Sequence, residues 1–80
     1  MKAILFTAAG RRSFQAIPAN ARTQVQAKLD RYAATGAGDT KKLVGTPGVR
    51  LRSGDYRVIF IETETTIEVI AAGDRRQIYR

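Results

Sequence analysis

The 80-residue chain has no cysteine, no histidine and no tryptophan. Without cysteine, disulfides, thiolate metal sites and a cysteine nucleophile are excluded. The staples of very small secreted domains are also missing, so a reducing cytoplasm is the expected location. Without histidine, the common zinc sites and every imidazole relay drop out as well. Any catalysis has to run on Arg, Lys, Tyr, Asp or Glu, and neither a metal nor another cofactor is expected. Acidic residues are scarce: seven Asp and Glu face fourteen Lys and Arg, for a net charge of +7 and a pI near 10.6. That surplus favours a polyanion or an acidic protein as partner and does not choose between them. No apolar run approaches the roughly 18 residues of a membrane span, so no membrane partner is expected. Met1 to Gly10 (MKAILFTAAG) is a short apolar stretch met at once by Arg11-Arg12. It reads as a strand rather than a signal peptide.

What remains is ordinary globular material, 44% hydrophobic and 26% charged. A chain this short supplies one core, so residues 1–80 are expected to form a single domain. Lys2 to Thr7 is rich in Ile, Leu and Phe and suits a short buried strand. Arg11 to Ile17 makes one or two helical turns that end at Pro18. Beyond the proline, Ala21, Val25, Leu29, Tyr32 and Ala33 fall on one stripe of a second helix. Gly36 is its expected stop, and the two helices read as an αα-hairpin. Gly36 to Gly48 holds four glycines and a proline. It reads as an irregular linker within the domain, with Leu43 and Val44 as its anchor to the core. From Val49 the period changes to two, and Ser53-Gly54-Asp55 and Thr63-Glu64-Thr65 mark turns between three strands, Val49–Arg52, Tyr56–Glu62 and Thr66–Ala72. Gly73 opens a polar tail. The order β-α-α-β-β-β predicts an α+β fold, a small antiparallel-rich sheet with the helical hairpin on one face. Tyr56, Phe60, Phe6 and Phe14 are assigned to its core.

Two helices leave the other face of the sheet bare, and basic residues point there. Arg57 shares a face with Ile59 and Ile61, where alternation would otherwise place an aliphatic side chain. Between Lys41 and Phe60 stand Lys41, Lys42, Arg50, Arg52 and Arg57 against Asp55 alone, while Glu62, Glu64 and Glu68 gather toward the far hairpin. Taken alone, Arg57 reads either as one half of a cross-sheet pair with Glu68 or as an anion-holding arginine. Arg50 and Arg52 read either as solvated charges that protect an exposed strand or as direct contacts to a polyanion.

Through Lys42-Leu43-Val44-Gly45, the hairpin Leu51-Arg52-Ser53-Gly54-Asp55-Tyr56-Arg57 and the ending Gly73-Asp74-Arg75-Arg76-Gln77-Ile78-Tyr79, the chain resembles the RelE toxins of the RelE/ParE superfamily over its whole length. The hairpin motif is shared with gyrase-directed ParE relatives, and the ending is the more discriminating half. The resemblance implies the RelE fold and a toxin of a type II toxin–antitoxin pair that enters the ribosomal A site and cleaves messenger RNA. Its implied partners are a cognate antitoxin, bound in a hetero-oligomer, and messenger RNA with 16S ribosomal RNA. It makes Arg57 the arginine that holds the scissile phosphate, Arg75 the arginine of leaving-group protonation or further phosphate stabilisation, and Tyr79 the tyrosine that positions or stacks the nucleotide or accepts a proton. Arg50, Arg52, Lys41, Lys42 and Arg76 become candidates for RNA and ribosome contact. Two departures concern proton transfer. Gly48 and Arg50 fall where some relatives carry lysines, and Asp74 stands at the usual histidine. Asp74 is expected either to act as a base or to neutralise Arg75. A ParE-like gyrase inhibitor and a catalytically degenerate antitoxin binder are the other classes these residues allow.

Overall fold

A computed structural model describes residues 1–78. The elements run β1 (Ala3–Phe6), α1 (Ala8–Gln15), α2 (Ala19–Thr35), β2 (Thr40–Lys42), β3 (Val49–Ser53), β4 (Tyr56–Glu62), β5 (Thr66–Asp74) and α3 (Arg75–Ile78). The five strands form one sheet in the order β1-β5-β4-β3-β2, in which β1 and β5 are parallel and every other pair is antiparallel. This is the expected α+β architecture. A helical crossover lies between β1 and the meander, because parallel neighbours cannot be joined by a tight turn.

One face of the sheet and one stripe of α2 close the core. Val25 and Leu29 meet Leu51, Val58, Phe60, Ile67 and Val69, all fully buried. Each contributes about 1.5–3 kcal/mol relative to exposure. Phe6, Phe14, Tyr32 and Tyr56 pack on the margin of this cluster, half-buried. α2 ends as its sequence demands, with Gly36 in the left-handed region at φ 76° and its N–H bonded to the Tyr32 carbonyl.

Four local expectations need correction. α1 begins at Ala8 rather than Arg11, because the Thr7 hydroxyl caps it by accepting the Gly10 N–H at 2.9 Å. Its third residue, Gly10, lies so close to β5 that a Cβ there would sit 2.1 Å from the Val69 carbonyl oxygen. The glycine-rich linker contains β2, three residues that pair with β3 and finish the sheet. Val44 is 96% exposed and anchors nothing, whereas Leu43 packs beside Gly48 and Ile59 on the face away from the helices. The polar tail is ordered further than expected. Gly73 and Asp74 belong to β5, and Arg75–Ile78 form a turn of helix.

At the other end of β4 from Arg57, Lys2, Tyr32 and Glu62 tie the segment before β1 to α2 and β4. Lys2 Nζ donates to Glu62 Oε2 at 2.7 Å and to the Thr63 carbonyl, and the Tyr32 hydroxyl donates to Glu62 Oε1 at 2.8 Å. The Lys2 bond is the main cause that holds the Glu62 carboxyl below its ordinary range. Burial, with help from the carboxylate, pushes the Tyr32 phenol up. Among the described residues no helix is long and apolar enough to cross a membrane.

Candidate functional site

Cross-strand register sorts the polar residues onto two faces. On the face away from α1 and α2, Arg52 stands opposite Arg57, and Arg57 opposite Gly73. One step along, Lys41, Arg50, Ile59 and Ala71 form the next row. Four basic side chains therefore share one patch that spans three strands. Leu5 and Glu68 lie exposed toward its far end.

Arg57 is 7% exposed. Its Nη1 donates to the carbonyls of Gly54 at 2.9 Å and Tyr56 at 3.1 Å, while its Nε is buried without a hydrogen-bond partner. The Gly54 carbonyl belongs to the β3–β4 turn, which Gly54 allows by adopting φ 60°, and the Tyr56 carbonyl to the first residue of β4. No carboxylate pairs with Arg57 among the described residues. Glu68 stands opposite Ile61 and Leu5, further along the sheet, so the cross-sheet pair does not form. A buried guanidinium held only by neutral carbonyls is costly, and an anion docked on it would supply the missing charge. Arg50 is similar. Its Nη2 lies 3.9 Å from Asp39 Oδ1, at the outer limit of an ion pair, and its Nε is also buried and unpartnered. Arg52 is exposed, and its Nε approaches the Gly54 carbonyl at 3.4 Å.

The start of α3 reaches the same end of the sheet. The Arg75 N–H donates to the Asp55 carbonyl at 3.0 Å, which fixes the start of α3 against the β3–β4 turn. Asp74 follows Gly73 and so faces the other way, opposite Tyr56 and on the helix side of the sheet. Its Oδ1 accepts the Arg76 N–H at 2.8 Å and Arg76 Nε at 3.5 Å, so its partner is Arg76 rather than Arg75. The Arg76 N–H is the main cause that holds this carboxyl below the ordinary aspartate range, helped by the Arg76 and Arg75 charges. Lys42 stands opposite Val49 and Phe60, also on the helix side, and is separated from the arginines. Tyr79 lies outside the described residues.

Two features had no clear signal in the sequence. Asp39, in the glycine-rich segment, supplies the one carboxylate near Arg50 among the described residues. A cleft of about 440 Å³ opens between the α1–α2 corner and the Asp74 end of β5. Among the described residues no cluster of acidic side chains suits a metal ion.

No protein-family model matches the sequence, and no curated protein matches it. Solved structures do match. The structure is similar to that of the RelB–RelE antitoxin–toxin complex from Methanococcus jannaschii, with 21% identity, a TM-score of 0.77 and 94% of each chain covered. It is similar to the intact E. coli RelBE toxin–antitoxin complex, with 22% identity, a TM-score of 0.75, and 92% of this chain and 96% of that one covered. Against the Staphylococcus aureus YoeB dimer the identity is 16% and the TM-score 0.71, with 88% and 92% covered. The chain has the RelE fold.

Proposed function

We propose that this chain is the toxin of a type II toxin–antitoxin pair and cleaves messenger RNA on the ribosome. The observation that carries this reading is the buried Arg57, without a carboxylate partner among the described residues, on an open sheet face beside Arg50 and Arg52 and next to the turn that receives Arg75. In a RelE fold, whose solved examples include antitoxin complexes, a polyanion and an antitoxin are the occupants this charge suits.

The chemistry is transfer of a phosphoryl bond within the RNA. The ribose 2′-oxygen attacks the adjacent phosphorus, the bond to the 5′-oxygen breaks, and the products are a 2′,3′-cyclic phosphate and a 5′-hydroxyl. One proton passes from the 2′-hydroxyl to solvent water and one arrives from water on the departing 5′-oxygen. Arginine cannot be the base, because its guanidinium stays protonated. Arg57 is therefore assigned to the non-bridging phosphate oxygens, where a preorganised donor is worth most as charge builds. Arg75 is assigned to the leaving group or a further phosphate oxygen, Tyr79 to stacking of the nucleotide, and Arg50, Arg52, Lys41 and Arg76 to the RNA backbone. Asp74 faces the other side of the sheet from Arg57, and the reading gives it no proton-transfer role. Alignment and charge then do most of the work, at the cost of the 10²- to 10⁴-fold that general acid–base transfer typically contributes.

One observation favours a second reading: with Gly48 and Arg50 at the positions of candidate lysine bases, the chain also suits a degenerate antitoxin binder. Purified protein added to ribosomes programmed with a defined messenger RNA, mapped for new 5′ ends, separates the two. A parallel gyrase supercoiling assay tests the ParE-like alternative. New 5′ ends within the A-site codon support the proposal, and their absence at full ribosome occupancy rejects it.

A further inference from the structure

One acid stands among the bases of the helix-free face. β2 opens at Thr40, but its bonding to β3 reaches one residue further back. The Arg52 N–H donates to the Asp39 carbonyl at 2.9 Å, so Asp39 lies beside Arg52 at the edge of the sheet. Its carboxylate turns to the face that carries Lys41, Arg50 and Arg52, with Oδ1 3.9 Å from Arg50 Nη2. A tight turn brings it in. The Gly38 carbonyl accepts the Thr40 N–H at 3.1 Å, and a Cβ at Gly38 would come within 3.2 Å of Leu51 Cδ1, so only bare backbone lets this segment close on β3.

Asp39 has several cations around it and stands close to one. Lys28 and Arg31 of α2 and Arg52 of β3 line a small cleft of about 190 Å³ beside it. Among the described residues its carboxylate is nevertheless within ion-pair distance of Arg50 alone. Arg50 needs the hold. Lys41 stands directly opposite it and Arg52 and Arg57 are in the next row, like charges that drive a flexible side chain out into water. Instead the Arg50 side chain is only 23% exposed, and its Nε is buried without a partner. Asp39 meets it at Nη2, and its other N–H groups make no hydrogen bond among the described residues. The register sets Arg50 opposite Ile59, hence diagonal to Arg57, about 7–8 Å away at the backbone. Two guanidinium forks on long side chains span that gap.

We infer that Asp39 is a positioning residue: it holds the Arg50 guanidinium down on the sheet, so that the remaining donors of Arg50 meet an RNA phosphate beside Arg57. The inference rests on the RNA-cleaving reading, and in it Asp39 itself touches no RNA. Such a residue has two effects of opposite sign. Its negative charge at the edge of a basic patch opposes the approach of a polyanion. By fixing Arg50 it also sets where the RNA lies relative to Arg57, and a misplacement of about 1 Å can cost on the order of 10²-fold in rate. Removing the carboxylate should therefore tighten RNA binding and slow cleavage together. A surface charge without a positioning role gives the first change alone, and a merely structural acid gives neither without a loss of stability.

The test compares wild type with Asp39→Asn and Asp39→Glu. Asp30→Asn is the charge-matched control, since Asp30 is exposed on α2 and bonded to Gln26 of the same helix. Three quantities are read: the single-turnover cleavage rate on programmed ribosomes, the binding of an RNA made uncleavable by a 2′-deoxy sugar at the cut, followed by NMR at the Arg50 Nε–H, and the urea midpoint. Asp39→Asn is expected to slow cleavage about tenfold and to bind the uncleavable RNA about two- to threefold more tightly, at an unchanged urea midpoint. The Arg50 Nε–H shift that RNA produces in wild type should be lost. Asp39→Glu should restore most of the rate, because a carboxylate on a longer stem still reaches Nη2, and Asp30→Asn should cleave as wild type does. An Arg50 shift that Asp39→Asn abolishes, in a protein that cuts no RNA, would uphold the positioning and reject the enzymatic reading. Tighter binding at an unchanged rate would reduce Asp39 to a repelling charge, and a slower rate that follows a lower urea midpoint and is not recovered by glutamate would make it structural. Either result overturns the inference and leaves the enzymatic reading standing. An Arg50 signal that RNA does not move in wild type would overturn it as well.

Discussion

Arg52 and Arg57 stand directly opposite each other across the β3–β4 ladder, and no described carboxylate lies between them. Like charges in that position destabilise a sheet pair by a few tenths to about 1 kcal/mol. The fold accepts this cost twice, once in the pairing and once in burying Arg57, and the proposed RNA phosphate would offset both.

Arg57→Ala and Arg75→Ala should each lower RNA cleavage by about 10²-fold or more, the usual cost of one preorganised donor to a developing oxyanion. The two should differ in stability. Arg57 bonds the carbonyls of its own turn, so its removal loosens the β3–β4 hairpin, whereas Arg75 meets the fold through its backbone. Single-turnover cleavage with a urea melt on each variant separates the effects. Wild-type cleavage by both would remove the arginines from the mechanism.

Replacing Arg50, Arg52 and Arg57 together with alanine should weaken antitoxin binding by more than tenfold, about 1.4 kcal/mol, and flatten its salt dependence. The motive is a basic patch in which Arg52 and Arg57 have no carboxylate partner among the described residues and Arg50 has only Asp39 at 3.9 Å; in the proposed function an antitoxin covers it. Calorimetric titration at two salt concentrations measures it, and an unchanged affinity would move the antitoxin to another surface.

Glu62→Gln should cost about 1–2 kcal/mol at neutral pH, since it keeps the hydrogen-bonding shape and removes the charge that Lys2 and Tyr32 address. The folded-state pKa of Glu62 lies below its usual 4.5. Its contribution is therefore complete above about that pH and disappears as the pH falls through the lowered value. The raised Tyr32 pKa gives the opposite limb: stability held below pH 10 and lost as the phenol ionises above it. Denaturation midpoints from pH 3 to 8 should show wild type and variant converging in acid. A constant gap would mean that charge is not the cause.

Gly10→Ala sets two effects of opposite sign against each other. Alanine favours a helix interior by about 1 kcal/mol over glycine. The new Cβ would press on the Val69 carbonyl oxygen at 2.1 Å, and backbone of a central strand cannot yield as a side-chain tip can. The clash should win, with a net loss of about 1–3 kcal/mol. A gain in the urea midpoint would show that α1 lifts off β5 at little cost.

Periodic elements were legible in the sequence. The α2 stripe, the Gly36 stop and the three-strand meander follow from 3.6- and two-residue patterns that one buried face imposes. β2 was not legible, because three residues cannot display a period and Thr40–Lys42 owe their strand to pairing with β3. Alternation placed Arg57 on the helix-free face with Ile59 and Ile61, as the register shows, but it could not reveal that Ile70 is an extra residue opposite the Ile59–Phe60 step. That bulge shifts the phase of β5, so that Gly73 flanks Arg57 and Asp74 turns to the other side. Chain distance put Asp74 beside Arg75, whereas an N–H two residues on, at Arg76, captured it.

The parallel pairing of β1 with β5 joins the first strand of the fold to the last. During synthesis, Ala3–Phe6 emerge long before Thr66–Val69 exist, and until then β1 has no neighbour in the sheet. Gly10 waits for the same strand, since its close contact is Val69. The ends that must meet enclose nearly the whole domain, which makes the nucleus non-local and the folding rate low for so small a chain. Arg57 and the turn that receives Arg75 are likewise completed only after β5 has docked. A nascent chain therefore cannot complete the surroundings of Arg57 before β5 has been made.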